Sequence, residues 1–189
     1  MNLPNKLTVF RIILVPMIVF FILFEGLKNH YLYALLIFLI ASYTDRLDGY
    51  IARKNGIITN FGKIMDPLAD KILVASVFIC FSSVGLVPTW VTVLIVCREF
   101  IVTSIRFLIL EDSSLVVSAN IWGKCKTFSQ MLSLILILSV QSYINLFGYS
   151  IDLYFMIVIQ NLLIWISAIL SLISGVIYIA KNHKYIKIN

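Results

Sequence analysis

Polar and apolar positions divide the chain into six long, sparsely charged stretches joined by short connectors. They run from about residue 7 to 24, 30 to 53, 62 to 84, 87 to 110, 124 to 146 and 153 to 180. Each is close to the roughly 20 residues that an α-helix needs to cross a hydrocarbon core. Residues 153–180 form a 28-residue run without a charge, long enough to span with tilt. The pattern therefore predicts six helices. Pro16, in the middle of the first, predicts a kink there. No small-x-small cleavage site follows that helix, only Glu25-Gly26-Leu27-Lys28, so it is expected to remain in place. Residues 54–61 and 111–123 are expected connectors.

Composition strengthens this picture. The 189 residues are 61% hydrophobic and 13% charged. A soluble domain of this length would carry about 47 charges at the usual roughly 25%; the chain has 15 basic and 9 acidic residues. That excludes a soluble globular protein and a disordered one, and leaves an all-α membrane protein with six transmembrane helices. There is no internal repeat or low-complexity linker, so residues 1–189 are expected to form a single domain. The three cysteines, Cys80, Cys97 and Cys125, suggest no disulfide framework and are expected to be buried apolar side chains.

The basic residues orient the helices. Lys6 and Arg11, then Arg53, Lys54 and Lys63, then Lys124 and Lys126, then Lys181, Lys184 and Lys187 fall on one side; Lys28 stands alone on the other. By the positive-inside rule both termini and the basic connectors are expected in the cytoplasm. The net charge of +6 suits anionic lipid or an anionic substrate. Nothing in the pattern points to nucleic acid.

Charges inside membrane spans are costly and mark function. Residues 45–71 hold nine of them, including four acids: Asp45, Asp48, Asp66 and Asp70. Asp45, Asp48, Gly49, Ala52 and Arg53 share one helical face; Gly62, Asp66 and Asp70 share another. The short connector predicts that these two helices pack directly as antiparallel neighbours. Asp48 lies five residues before one helix ends and Asp66 four after the next begins, so the acids should meet at similar depth. Carboxylates gathered there need protons, basic partners or metal ions. An oxygen-only donor set favours Mg²⁺ or Mn²⁺ over zinc, and four carboxylates suffice for two ions. Gly49, Ala52 and Gly62 leave room either for close helix approach or for a flat ligand, and Arg53 at the rim suits a phosphate. A salt-bridge network with Arg46, Arg53, Lys63 and Lys71 is the purely structural alternative.

The segment Asp45-Arg-Leu-Asp48-Gly49-Tyr-Ile-Ala52-Arg53, eight residues, then Gly62-Lys-Ile-Met-Asp66-Pro-Leu-Ala-Asp70 resembles the signature of the CDP-alcohol phosphotransferase family at every fixed position. The likeness extends over essentially the whole chain. It implies a bundle of that family's kind, displacement of CMP from a CDP-linked lipid by a hydroxyl, and a homodimer. By position it implies Asp45, Asp48, Asp66 and Asp70 as metal ligands, with two Mg²⁺ or Mn²⁺ ions. Asp70 would also be the base, and Gly49, Ala52, Arg53 and Gly62 the surface that receives cytidine diphosphate.

The N-terminal Leu3–Arg11 stretch, Asp66–Lys71, Arg98-Glu99 with Arg106, and Gly123–Thr127 resemble the subgroup whose acceptor is glycerol 3-phosphate. A phosphorylated acceptor is a dianion, and Arg98, Arg106, Lys124 and Lys126 are the candidate pocket for it. Against this stand plain positive-inside topology for Lys124 and Lys126, and an Arg98–Glu99 pair. Asn5, Thr8 and Arg11 either contact the site or anchor the first helix. The implied reaction takes CDP-diacylglycerol and glycerol 3-phosphate to phosphatidylglycerol phosphate and CMP at the cytoplasmic face of the cell membrane. Rival readings are another acceptor (inositol phosphate, serine or phosphatidylglycerol) and, from a different class, a divalent-cation transporter. The transporter reading expects polar residues through the full membrane depth, whereas the outer halves here are apolar.

Overall fold

The computed structural model describes residues 3–55, 60–112, 121–149 and 151–182; the side chains of 3–4, 46–55, 60–61, 63–64, 108–112 and 151–152 are outside the description. The described residues form six α-helices and no strand: α1 Leu3–Leu23, α2 His30–Asn55, α3 Asn60–Ser83, α4 Thr89–Asp112, α5 Ile121–Phe147 and α6 Ile151–Asn182. All six expected helices are present, with their ends a few residues from the expected positions. α1 continues as helix through Pro16.

The turns follow from local chemistry. At the end of α3, Gly85 adopts φ +76°. Leu86 N–H donates to Phe81 O at 2.8 Å and Gly85 N–H to Ser82 O at 3.2 Å, a paired cap that needs a left-handed residue between. Between α1 and α2, Asn29 has φ +65°, and His30 Nδ1 lies 2.8 Å from Phe21 O, tying the turn back to α1.

Among the described residues three helices are long and apolar enough to cross a membrane: α1 over Asn5–Leu23, α5 over Ile121–Phe147 and α6 over Leu153–Asn182. The other three carry most of the charges that fall within helical sequence: Asp45 to Lys54 in α2, Lys63 to Lys71 in α3, and Arg98, Glu99 and Arg106 in α4. One continuous core joins them, built on Ile18 and Ile22 of α1, Phe38 of α2, Phe78 and Phe81 of α3, Ile95 of α4, Ile137 of α5 and Ile164 of α6.

Among the described residues α2 packs on α1 and α5, and α3 packs on α1, α4 and α5. The segments where α2 and α3 are expected to meet, around residues 46–64, lie largely outside the described side chains. α1 joins the two acid-bearing helices through a buried face in register with both, from Thr8 and Arg11 through Leu14, Val15, Ile18 and Ile22. One correction concerns the cysteines. Cys80 is buried as expected, but Cys97 and Cys125 are exposed, on the outward faces of α4 and α5. An outward face of a lipid-facing helix accepts a small weakly polar thiol as readily as a core does.

Candidate functional site

α1 supplies polar partners to the acids. Arg11, fully buried, sets Nη1 at 2.6 Å from Asp45 Oδ1 of α2. Thr8, also fully buried, donates its hydroxyl to Asp66 Oδ1 of α3 at 2.5 Å. Thr8 and Arg11 are three residues apart, about 4.5 Å along a helix axis. Asp45 and Asp66 are thereby held at nearly one depth. Of the three N-terminal candidates, Thr8 and Arg11 reach the acid site, and Asn5 lies one turn earlier on the same helix.

Asp48, Gly49, Ala52 and Arg53 lie in the last turns of α2, and their side chains are outside the described residues. Gly62 is buried near the start of α3. Among the described residues no group of three or more acid, histidine or cysteine side chains forms a metal site. What the described part does show is a donor set of carboxylate oxygens from α2 and α3, with Asp45 and Asp66 oriented by α1. Oxygen donors of that kind fit a hard divalent cation.

Asp70, one turn beyond Asp66, opens into a cavity of about 520 Å³ between α3, α4, α5 and α6. Its lining includes five cations, Lys71, Arg98, Arg106, Lys124 and Lys126, against two acids, Asp70 and Glu99. All four residues singled out for an acceptor phosphate are there. Lys71 was considered only as a salt-bridge partner, yet Asp70 and Lys71 are adjacent in sequence and both face the cavity.

Glu99 organises these cations. Its carboxylate accepts from Lys126 Nζ and, at 3.2 Å, from Arg98 Nη1. The Arg98–Glu99 pair weighed in the sequence is therefore real, but it stands inside the cavity wall rather than apart from it. Arg98 also donates through Nη2 to Ser174 Oγ of α6 at 2.8 Å. This approach depends on Gly175: a Cβ there would meet Arg98 Cγ at 3.0 Å. Arg106 lies over the Tyr178 ring, with Cζ 5.8 Å from the centroid.

α5 and α6 contribute groups that sequence reasoning passed over: Gln130, Ser174 and Tyr178. A signal for them existed. Gln130 follows Lys126 by four residues, and Ser167, Ser171, Ser174, Gly175 and Tyr178 form a buried stripe at helical spacing in an otherwise apolar helix. Such a stripe marks a face turned to the bundle.

These features define an all-helical bundle, three of its helices long and apolar enough to cross a membrane, with two aspartates at one level and an adjoining cation-lined cavity. The family model for the CDP-alcohol phosphatidyltransferases matches residues 1–173, and the chain belongs to that family. Its reaction class is transfer of a substituted phosphate group. The chain is 36% identical over 197 aligned positions to the CDP-diacylglycerol–glycerol-3-phosphate 3-phosphatidyltransferase of Bacillus subtilis strain 168, covering 98% of this chain and 97% of that one. It is 39% identical over 186 positions to the Rickettsia felis protein of the same name, covering 97% of each. To the Mycoplasma pneumoniae protein of that name it is 33% identical over 205 positions, covering 99% of this chain and 90% of the other.

Proposed function

We propose that the chain transfers the phosphatidyl group of CDP-diacylglycerol to sn-glycerol 3-phosphate, giving phosphatidylglycerol phosphate and CMP. The observation that carries this reading is the single cavity in which Asp70 faces Lys71, Arg98, Arg106, Lys124 and Lys126. A carboxylate that accepts a proton and a set of cations that holds a dianion are the two things a phosphorylated alcohol needs to become a nucleophile. The names of the relatives point the same way.

In this reading the acceptor's phosphate rests on Arg98, Arg106, Lys124 and Lys126. Asp70 takes the proton from its hydroxyl as that oxygen attacks the phosphorus bearing diacylglycerol. The bond from that phosphorus to the bridging oxygen breaks, and CMP leaves with the electron pair. Gly49, Ala52, Arg53 and Gly62 form the floor for cytidine diphosphate. Asp45, Asp48, Asp66 and Asp70 would hold two Mg²⁺ or Mn²⁺ ions, which when bound supply positive charge beside the diphosphate. Thr8 and Arg11 orient Asp66 and Asp45, and Arg11 offsets carboxylate charge within the bundle.

All six helices cross the cell membrane, both termini and the site face the cytoplasm, and the protein is a homodimer. The placement suits the substrates: the donor's acyl chains stay in lipid while its nucleotide and the acceptor come from water.

The test is an acceptor panel with purified protein, CDP-diacylglycerol and Mg²⁺ or Mn²⁺. CMP release that requires glycerol 3-phosphate is expected. Release that instead requires inositol phosphate, serine or phosphatidylglycerol would overturn the acceptor assignment. Metal flux into vesicles without CMP release would replace the enzyme reading by transport.

A further inference from the structure

Three buried polar atoms of residues that line the cavity have no hydrogen-bond partner among the described residues: Arg98 Nε, Gln130 Nε2 and Tyr178 Oη, of which the last two belong to uncharged groups. Gln130 is 2% exposed and Tyr178 8%. A buried amide N–H without an acceptor is costly, and native proteins keep few of them. Both residues line the cavity that holds the cations, so a ligand bound there is a candidate partner for each. They differ in placement. Tyr178 carries Arg106 over its ring, which puts it on the cationic side of the pocket. Gln130 lies one turn beyond Lys126 on α5.

We infer that Gln130 is a specificity residue that reads the acceptor's second hydroxyl. The inference rests on glycerol 3-phosphate being the acceptor. That molecule has two hydroxyls; the primary one attacks and loses its proton to Asp70, while the secondary one is carried along. Against the buried wall of the cavity the secondary hydroxyl needs a partner of its own. Gln130 Nε2–H donates to its oxygen. Tyr178 donates its phenolic O–H to a phosphate oxygen beside Arg106. A site built to bond a substrate hydroxyl discriminates strongly against the analogue that lacks it, because the protein donor is then left buried and unpaired.

The experiment compares kcat/KM for sn-glycerol 3-phosphate and for 3-hydroxypropyl phosphate, which keeps the primary hydroxyl and the phosphate but lacks the secondary hydroxyl. CMP release with CDP-diacylglycerol is the readout. The unaltered protein is expected to prefer glycerol 3-phosphate by about 10- to 100-fold. Gln130→Leu removes the stranded donor, and the preference is expected to shrink to within about threefold. Gln130→Met, closer in length, serves where the leucine variant does not purify as a folded protein. Tyr178→Phe is expected to keep the preference and raise the KM of both acceptors together. A folded Gln130 variant that keeps the full preference overturns the inference. Failure of the unaltered protein to use glycerol 3-phosphate at all overturns the underlying acceptor reading instead, so the two failures are distinguishable.

Discussion

Replacing Glu99 by methionine tests what holds the cation-lined cavity together. The carboxylate accepts from Lys126 and, at 3.2 Å, from Arg98. At 3.2 Å and an effective dielectric near 20, the attraction to Arg98 is about 5 kcal/mol before desolvation. Methionine keeps the volume of glutamate and removes its charge. Arg98 retains Ser174 as a partner at 2.8 Å. Lys126, only 5% exposed, is left as an ammonium without its carboxylate. Breaking one side of a buried pair costs about 3–5 kcal/mol.

A loss of about 3 kcal/mol lowers the Tm of a chain of this size by roughly 6–12 °C. Unfolding of the purified protein in one fixed detergent, followed by the fluorescence of its three tryptophans, measures it. Glu99→Met/Lys126→Met removes both charges and leaves an apolar pair, which is near neutral in comparable cases. Its loss is expected to fall short of the two single losses combined by about 2 kcal/mol or more. Additive losses, within about 0.5 kcal/mol, would refute the idea that this carboxylate compensates Lys126.

Three further outcomes follow from the same geometry. Asp70→Asn is expected to lower turnover at least about 100-fold while leaving the protein folded, since proton transfer contributes roughly that much or more; appreciable residual CMP release would remove Asp70 as the base. Arg106→Ala should raise the acceptor KM by about 10- to 100-fold, the value of a hydrogen bond to a charged group, and the donor KM far less; equal effects on both would count against a role at the acceptor phosphate. Gly175→Ala places a methyl 3.0 Å from Arg98 Cγ and forces that side chain to shift. A strain of about 1 kcal/mol corresponds to a rise of roughly fivefold in the acceptor KM. An unchanged KM would show that Arg98 need not lie where it does.

The six helices were readable because each apolar stretch persists for about 20 residues, a signal that needs no knowledge of neighbours. The spacing of Asp66 and Asp70 was readable for the same reason: both belong to one helix. What spacing cannot state is which helix lies alongside. α1 reaches both acid-bearing helices through Thr8 and Arg11, and no spacing in α2 or α3 could announce it. Those two residues stand three apart in an apolar segment, which marks a buried polar face but not its destination. Arg98, Arg106, Lys124 and Lys126 were legible as a set because four cations on two spans invite a common anion, and all four line one cavity. Glu99 was visible only as Arg98's sequence neighbour. Its hold on Lys126, 27 residues away, is a tertiary fact.

The division between the apolar and the charge-bearing helices explains how such a site is tolerated in a membrane bundle. A charge near the bilayer centre costs about 2.5–3.5 kcal/mol on insertion scales, and α2, α3 and α4 hold several each. Each of the three apolar helices turns polar groups toward them: α1 gives Thr8 and Arg11, α5 gives Lys126, and α6 gives Ser174. The outward faces of α1, α5 and α6 stay apolar, with Ile13, Phe128 and Trp165 among the exposed side chains. Lipid therefore meets hydrocarbon, while the charges meet partners. Gln130 and Tyr178 are uncharged residues of the cavity lining whose buried polar atoms have no partner among the described residues. Their place beside the cations of that lining is what makes them candidates for a ligand's hydroxyl and phosphate oxygens.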